Sequence, residues 1–323
     1  MKHIGVLTSG GDAPGMNAAI RAVVRAAVFH NIRVSGIYRG FEGLIEGEIQ
    51  PLHARSVGNI IQRGGTMLKS ARSEAFRTAE GRRKAIAELQ QQQIDGLIII
   101  GGDGSFRGAE VLSAEYPIPI IGIPGTIDND LGGTDFTIGY DTACNTVIHA
   151  VDAIRDTASS HNRIFFIEAM GRDSGFIALR AGVAAGIETI IIPEREEEWK
   201  QLLEKLQRGQ RVKKSAALVM VGEGCHCGNA TTLAKQFSDS FPDLEVRVTI
   251  LGHVQRGGSP SCFDRELASR LGVSAVEGLL KGEKNKMVGL MQQQIHFTPF
   301  HQLAEKRKSI DTELLRLQEI LTV

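Results

Sequence analysis

"DGLIIIGGDGS", Asp95 to Ser105, is the stretch on which the fold turns. Leu97 to Ile100 are apolar without alternation, the mark of a strand covered on both faces. The run ends in Gly101-Gly102-Asp103, and a helix follows. The same order recurs on both sides. Upstream, "HIGVLTS" (His3 to Ser9) is a short apolar strand. The helix after it carries Met16, Ile20, Val23, Val24 and Ala27 at helical spacing. "IRVSGIY" (Ile32 to Tyr38) is the next strand, and "TAEGRRKAIAELQQQQ" is a surface helix capped by Thr78. Downstream, "IPIIGIPGT" (Ile118 to Thr126) is a strand and Asp141 to Ala158 a helix. "RIFFIEAMG", "IETIIIP" and "SAALVMVGEG" are strands, separated by a helix over Ser174 to Ala185 and by the charged "EREEEWKQLLEKLQRG". Apolar strands alternating with helices predict an α/β fold, with parallel sheet covered on both faces. Ligands of such sheets bind outside the carboxyl ends of the strands. The Gln runs at Gln90 to Gln93 and Gln292 to Gln294 read as a helix end and a turn. No internal repeat or low-complexity linker stands out.

The chain has 323 residues, 42% of them apolar, enough for two domains or one large one. Lys plus Arg and Asp plus Glu are 37 each, so the net charge is zero. That balance argues against a general nucleic-acid binder but leaves room for a local cationic pocket. No apolar run reaches the roughly 20 residues of a membrane span. "MKHIGVLTSGGD" reads as a first strand and its loop, not as a signal peptide. Four cysteines without framework spacing suit a reducing cytoplasm. "CHC" at Cys225 to Cys227 has no second pair nearby in sequence, and a structural metal is not expected there.

Two loops share the core Gly-Gly-Asp: "SGGDAPG" (Ser9 to Gly15) and "GGDGS" (Gly101 to Ser105). Glycine lets backbone N–H groups approach and cradle phosphate oxygens, and a helix N-terminus behind each loop favours an anion. An Asp there repels phosphate unless a divalent cation lies between, which points to Asp103 as a metal-side carboxylate. Neither a Walker loop nor a G-x-G-x-x-G after the first strand is present, which disfavours nicotinamide chemistry. "GTIDND" (Gly125 to Asp130) follows the next strand. If it is extended, Asp128 and Asp130 face one side and Asn129 the other. One carboxylate then accepts a proton while the second orients a metal or the first. Beside a phosphate loop, that suits phosphoryl transfer to a hydroxyl. Arg72, Arg77, Arg163, Arg172, Arg247, His253 and Arg256 cluster near predicted strand ends and Gly turns. They could hold a second phosphorylated ligand.

"LTSGGDAPGMNAAIR", "GGDGS", "PGTIDND", "RDTASSH", "EAMGR" and "LGHVQRGGSPSCFDRELASRLG" together resemble the bacterial ATP-dependent 6-phosphofructokinases, over essentially the whole chain. The resemblance implies two doubly wound, Rossmann-like α/β domains with the active site in the cleft between them. The larger, residues 1–139 plus 257–303, would bind ATP. The smaller, residues 140–256 plus 304–323, would bind the sugar phosphate. By this likeness Gly11, Arg72, Ser73, Arg77, Gly102, Asp103, Gly104 and Ser105 contact ATP and its Mg²⁺. Asp128 is the base on the 1-hydroxyl of fructose 6-phosphate, with Thr126, Ile127, Asp130 and Arg172 around the transferring group. Met170, Gly171 and Glu223 hold the sugar. His253, Val254, Gln255 and Arg256 take its 6-phosphate side, joined by Arg163 and Arg247 of a neighbouring subunit. A site completed across subunits implies an obligate oligomer, and the resemblance implies a homotetramer. Pyrophosphate-using relatives carry an Asp and a Lys where this chain has Gly104 and Gly125, which favours ATP.

The family is usually controlled by ADP or phosphoenolpyruvate at a site between subunits. Arg21, Arg25, Arg155, Gly186 and Glu188 match that site. Elsewhere the pattern departs: Ala54-Arg55 replaces the usual pair, Asn59 an expected Asp, and "VKKSA" keeps Lys213 and Lys214 but lacks the usual Gly and His. Blunted or altered effector control is the expectation. Phe41 and Phe176 replace a customary Tyr and Asp.

Overall fold

A computed structural model describes residues 1–161, 163–195, 197–207, 218–305 and 308–321. The chain divides into two compact units: residues 1–127, 131–142 and 256–308, and residues 128–130, 143–255 and 309–323.

In the first unit the order is β1 (His3–Thr8), α1 (Met16–Phe29), β2 (Arg33–Ile37), α2 (Gly40–Ile45), β3 (Ile49–Leu52), α3 (Ala79–Gln91), β4 (Gly96–Gly101), α4 (Asp103–Glu115) and β5 (Ile120–Pro124). Every residue of β1, β4 and β5 is buried, as continuous apolar runs require. α1 buries all five of its predicted core positions. α3 starts where Thr78 Oγ1 accepts the Gly81 N–H at 3.0 Å. It turns Ala85, Ile86 and Leu89 inward, so only one face is wet.

α5 (Tyr140–His161) carries the chain into the second unit from Ala143 onward. There follow β6 (Ile164–Ala169), α6 (Phe176–Ala184), β7 (Thr189–Ile191), α7 (Glu197–Gln207), β8 (Leu218–Gly222), α8 (Ala230–Ser240) and β9 (Val246–Ile250). The first unit resumes with α9 (Cys262–Leu280), β10 (Lys286–Met291), β11 (Gln294–Pro299) and α10 (Phe300–Glu305). α11 (Thr312–Leu321) returns to the second.

Among the described residues the first unit has a seven-stranded sheet, ordered β11-β10-β5-β4-β1-β2-β3. Its five central strands are parallel; β3 and β11 are antiparallel edges. No sequence pattern described above marks either edge, or β10. β3 is a short strand paired back on β2. β11 is made by a hairpin whose turn, Gln292-Gln293, holds both residues at positive φ without a glycine. The second unit has a four-stranded parallel sheet, β7-β8-β6-β9. Phe166, Trp199 and Phe237 meet edge to face in its core.

Each sheet reverses its winding once. In the first, β2 lies on one side of β1 and β4 on the other. In the second, β8 and β9 flank β6. At such a switch, the loops leaving neighbouring strands diverge and open a crevice at their carboxyl ends.

Candidate active site

The two Gly-Gly-Asp loops leave adjacent strands at the same height. Thr8 of β1 is in register with Ile100 of β4, and the Ser9 N–H donates to the Ile100 carbonyl at 3.0 Å. Gly101 is in register with Pro124 of β5, and Gly125 N–H donates to the Gly101 carbonyl at 2.9 Å. Three loops, at Ser9, Gly101 and Gly125, thus emerge side by side. A Cβ on Gly101 would lie 2.6 Å from the Ser9 carbonyl oxygen and 2.5 Å from Ser105 Oγ, so only glycine lets these strands end so close together. Gly104 differs: a Cβ there meets no protein atom within 4 Å. It faces open space at the second position of α4.

The segment bearing Arg72 and Ser73 is tied to the first loop. Ser70 Oγ donates to the Gly10 carbonyl at 2.6 Å and Thr8 Oγ1 to the Lys69 carbonyl at 2.7 Å. A 3₁₀ turn, Ala75–Arg77, follows, with Ser73 Oγ accepting the Phe76 N–H at 3.1 Å. Phe76 stacks on Phe41 with ring centroids 4.0 Å apart. That accounts for an apolar ring at 41: the side chain is buried against another ring. Arg72 and Arg77 are exposed, Arg77 beside Glu74 at 3.2 Å. Arg82, on the helix whose sequence reads as a surface helix, braces this turn. Its Nη1 donates to the Phe76 and Arg77 carbonyls at 3.0 and 2.7 Å, and its other nitrogens form a fork on Glu115 at 2.7 and 2.6 Å. Only its place within an amphipathic helix hinted at this.

Asp103 opens α4 as its first residue, which places a negative side chain in the first turn, at the positive end of the helix dipole. Among the described residues no group of three or more His, Cys, Asp or Glu could hold a metal. A cation at Asp103 would take most ligands from phosphate and water, as Mg²⁺ does. One carboxylate beside an open glycine loop fits a metal that arrives with its nucleotide. Arg256 also belongs to the first unit: Nη1 donates to the Asp12 carbonyl at 3.1 Å and lies 2.5 Å from where a Gly11 Cβ would be.

The GTIDND loop is not extended. It bends at Ile127 and Asp128, and Asn129 adopts φ 53°. Strand alternation therefore does not set which way Asp128 and Asp130 face. A left-handed residue between them breaks the period of two. Thr126 and Ile127 belong to the first unit, with the Thr126 carbonyl accepting Thr137 Oγ1–H at 2.6 Å. Asp128 belongs to the second unit, as do Asn129 and Asp130. Asp128 and Asn129 are buried and Asp130 half-buried.

In the second unit the carboxyl ends of β6, β8 and β9 carry the other candidates. Gly171 takes φ 154°, and a Cβ there would strike the Ser174 carbonyl at 2.3 Å. Arg172 is exposed, at φ 58°. Glu223 leaves β8 and accepts the Arg172 N–H at 2.7 Å and the Gly171 N–H at 3.3 Å. Its carboxylate thus shapes the loop as well as facing solvent. Gln255 is fully buried: Oε1 accepts the Met170 N–H at 3.1 Å and Nε2 donates to the Gly252 carbonyl at 3.0 Å. It ties the β6 and β9 ends together, while His253 and Val254 are exposed. Ser174 Oγ donates to the Gly171 carbonyl at 2.9 Å and lies 3.4 Å from that of Asp128. Phe176 opens α6, buried. Arg163 and Arg247 share Glu245, Arg163 Nε at 3.0 Å from it.

The effector candidates fall in both units. Arg21 and Arg25 stand one turn apart on α1, and burial together with the like charge of Arg25 lowers the Arg21 pKa. Arg55 and Asn59 are exposed. In the second unit Arg155 donates to the Ala185 carbonyl, beside Gly186 at φ 63°, and the Glu188 carbonyl accepts Gln318 Nε2–H at 2.9 Å. Lys213 and Lys214 lie outside the described residues.

The sequence profile of the phosphofructokinase family matches residues 3–279. An ATP-dependent 6-phosphofructokinase of Cytophaga hutchinsonii is 54% identical over 321 residues, 99% of this chain and 98% of that one. ATP-dependent 6-phosphofructokinase 1 of Thermus thermophilus is 54% identical over the full length of both chains. Among solved structures, phosphofructokinase of Saccharomyces cerevisiae superimposes with a TM-score of 0.89 at 36% identity, covering 100% of this chain and 48% of the yeast chain. A pyrophosphate-dependent phosphofructokinase of Marinobacter aquaeolei reaches 0.84 at 23% identity, a likeness of fold alone. Parallel sheets with glycine-lined loops at their switch points, matched in sequence from end to end, make this chain a member of the phosphofructokinase family.

Proposed function

We propose that this chain is an ATP-dependent 6-phosphofructokinase, moving the γ-phosphoryl group of ATP to the 1-hydroxyl of fructose 6-phosphate. The observation that carries this reading is the row of three loops at the ends of β1, β4 and β5. Two are glycine cradles and the third leads directly into Asp128. The identity to ATP-dependent relatives supports it.

Gly11, Arg72, Ser73, Arg77 and Gly102 to Ser105 hold the nucleotide. Backbone N–H groups take phosphate oxygens and the guanidinium groups add charge. Asp103 is the protein's carboxylate for Mg²⁺, which neutralises phosphate charge when bound. Thr126, Ile127, Asp128, Asp130 and Arg172 surround the transferring group. Met170, Gly171 and Glu223 hold the sugar; His253, Val254, Gln255 and Arg256 serve its phosphate side. Arg163 and Arg247 reach the sugar phosphate of a neighbouring subunit in a homotetramer. Asp128 takes the proton of the 1-hydroxyl as the bond to phosphorus forms. A carboxylate of ordinary basicity cannot ionise an alcohol in advance, but it can accept the proton late in a loose transition state.

Pyrophosphate is the competing donor, and two glycines speak against it. The space beside Gly104 is open, as a nucleotide's α-phosphate needs. A Cβ on Gly125 would approach Ile100 Cγ2 to 2.9 Å and Met16 Cε to 3.1 Å, so a lysine cannot enter without displacing core. A coupled assay with fructose 6-phosphate, Mg²⁺ and either donor tests the reading. Turnover with ATP alone is expected. Turnover with pyrophosphate would refute the donor assignment, and none with either would refute the activity.

A further inference from the structure

Asp103 is held by a neighbour that lies outside the Gly-Gly-Asp loop. Arg107, one turn further along α4, grips it with a two-point fork: Nε donates to Oδ1 at 3.2 Å, and Nη2 lies 2.7 Å from Oδ2. Both carboxylate oxygens, the atoms that a cation or its waters must reach, therefore face the guanidinium. Arg107 is 59% exposed, and among the described residues its side chain bonds Asp103 alone. Such an exposed i,i+4 pair is weak enough to open on ligand binding. Beside the pair, the space at Gly104 is open.

We infer that Arg107 is a positioning residue of the nucleotide site, a tethered cation that neutralises Asp103 until a divalent cation displaces it. The inference rests on the reading of Asp103 as the carboxylate facing the nucleotide's metal. Two effects of opposite sign follow. Without metal, Arg107 screens Asp103, so a polyphosphate entering the glycine loops does not meet a bare negative charge. With metal, Arg107 competes for the same two oxygens. Loss of the guanidinium should weaken binding of metal-free nucleotide and strengthen binding of the cation. A purely structural role in α4 would weaken both.

The test uses the full-length protein and Arg107→Gln, with Arg107→Lys as the conservative variant. Calorimetry with ADP in excess chelator reads the metal-free step. Electron paramagnetic resonance of Mn²⁺ titrated into protein saturated with ADP reads the cation step. Arg107→Gln is expected to raise the Kd for metal-free ADP and lower that for Mn²⁺, each by about two- to fivefold, the range an exposed ion pair supports. Arg107→Lys, a single-point cation, should fall between Gln and the parent. Unchanged constants, or shifts of the same sign, overturn the inference. Asp103→Asn separates the two failures. If it loses Mn²⁺ affinity while Arg107→Gln behaves as the parent, the inference alone fails. If Asp103→Asn binds Mn²⁺ as tightly as the parent, the metal-side reading of Asp103 fails with it.

Discussion

Among the described residues two carboxylates are buried, Asp128 and Asp264, and their surroundings give them different work. Asp128 sits in the bent loop after β5, at the position proposed to take the substrate proton. Asp128→Asn should lower kcat by about 10²- to 10⁴-fold, the usual worth of a general base, with little change in the KM for fructose 6-phosphate. Steady-state kinetics decides this, and near-normal turnover would sink the assignment. Asp264 has a structural task. From α9, Oδ1 accepts the Gly139 N–H at 2.8 Å, and Oδ2 accepts the Thr142 N–H at 2.8 Å and the Thr142 hydroxyl, closing the start of α5. Burial raises its pKa from 3.8 to about 6, against the lowering effect of those hydrogen bonds. A carboxyl raised on folding binds more protons folded than unfolded across that interval. Its contribution is fully present below pH about 4 and declines as pH rises to about 6. Thermal melts of the parent minus those of Asp264→Asn should show that slope between these limits; parallel curves would refute it. The sequence placed Asp264 inside a recognisable motif, but its partners at 139 and 142 are far away in the chain.

At the scale of elements, two glycines that look alike in sequence predict opposite outcomes. Gly125 is held by packing, so Gly125→Ala should cost about 1–3 kcal/mol of stability through overpacking against Ile100 and Met16. Gly104 is in α4 with free space beside it. Gly104→Ala should gain about 0.5–1 kcal/mol from helix propensity yet raise the KM for ATP, because the methyl enters ligand space. Chemical denaturation and kinetics on both variants check the pair. A Gly104→Ala enzyme with unaltered ATP kinetics would remove Gly104 from the nucleotide site. Strands β1, β2 and β4 to β8 and helices α1 and α3 to α7 were legible because their apolar runs and stripes are local signals, as at Leu97 to Ile100 and along α1. β3, β10 and β11 were not: β3 and β11 are antiparallel edges that depend on which strand they return to, and β10 joins β5 at only two paired positions.

For the whole molecule, the effector positions carry the main prediction. Arg21 and Arg25 supply neighbouring positive charge on α1, a start for an anion site. With Asn59 and Arg55 where the resemblance implies other residues, an effector site built on that pattern would lack several charged hydrogen bonds. Phosphoenolpyruvate should therefore leave the fructose 6-phosphate saturation curve nearly hyperbolic at millimolar concentrations. A strongly sigmoidal curve, relieved by micromolar ADP, would show that the control site is intact.

The sequence by itself determined the class of fold, the alternation of apolar strands with helices from β1 to β8 and the family. Each follows from residues close together in the chain: apolar runs, helix spacing and glycine loops of fixed spelling. Only the tertiary structure decided what those residues touch. Strand register put Ser9, Gly101 and Gly125 side by side. A left-handed Asn129 bent a loop that would otherwise alternate. Gln255 and Asp264 became supports by reaching backbone groups 85 and 125 residues away, and Arg82 by its fork on Glu115, 33 residues away. Local sequence sets dihedral preferences and apolar periodicity, whereas a hydrogen bond between distant segments exists only once sheet pairing has brought them together.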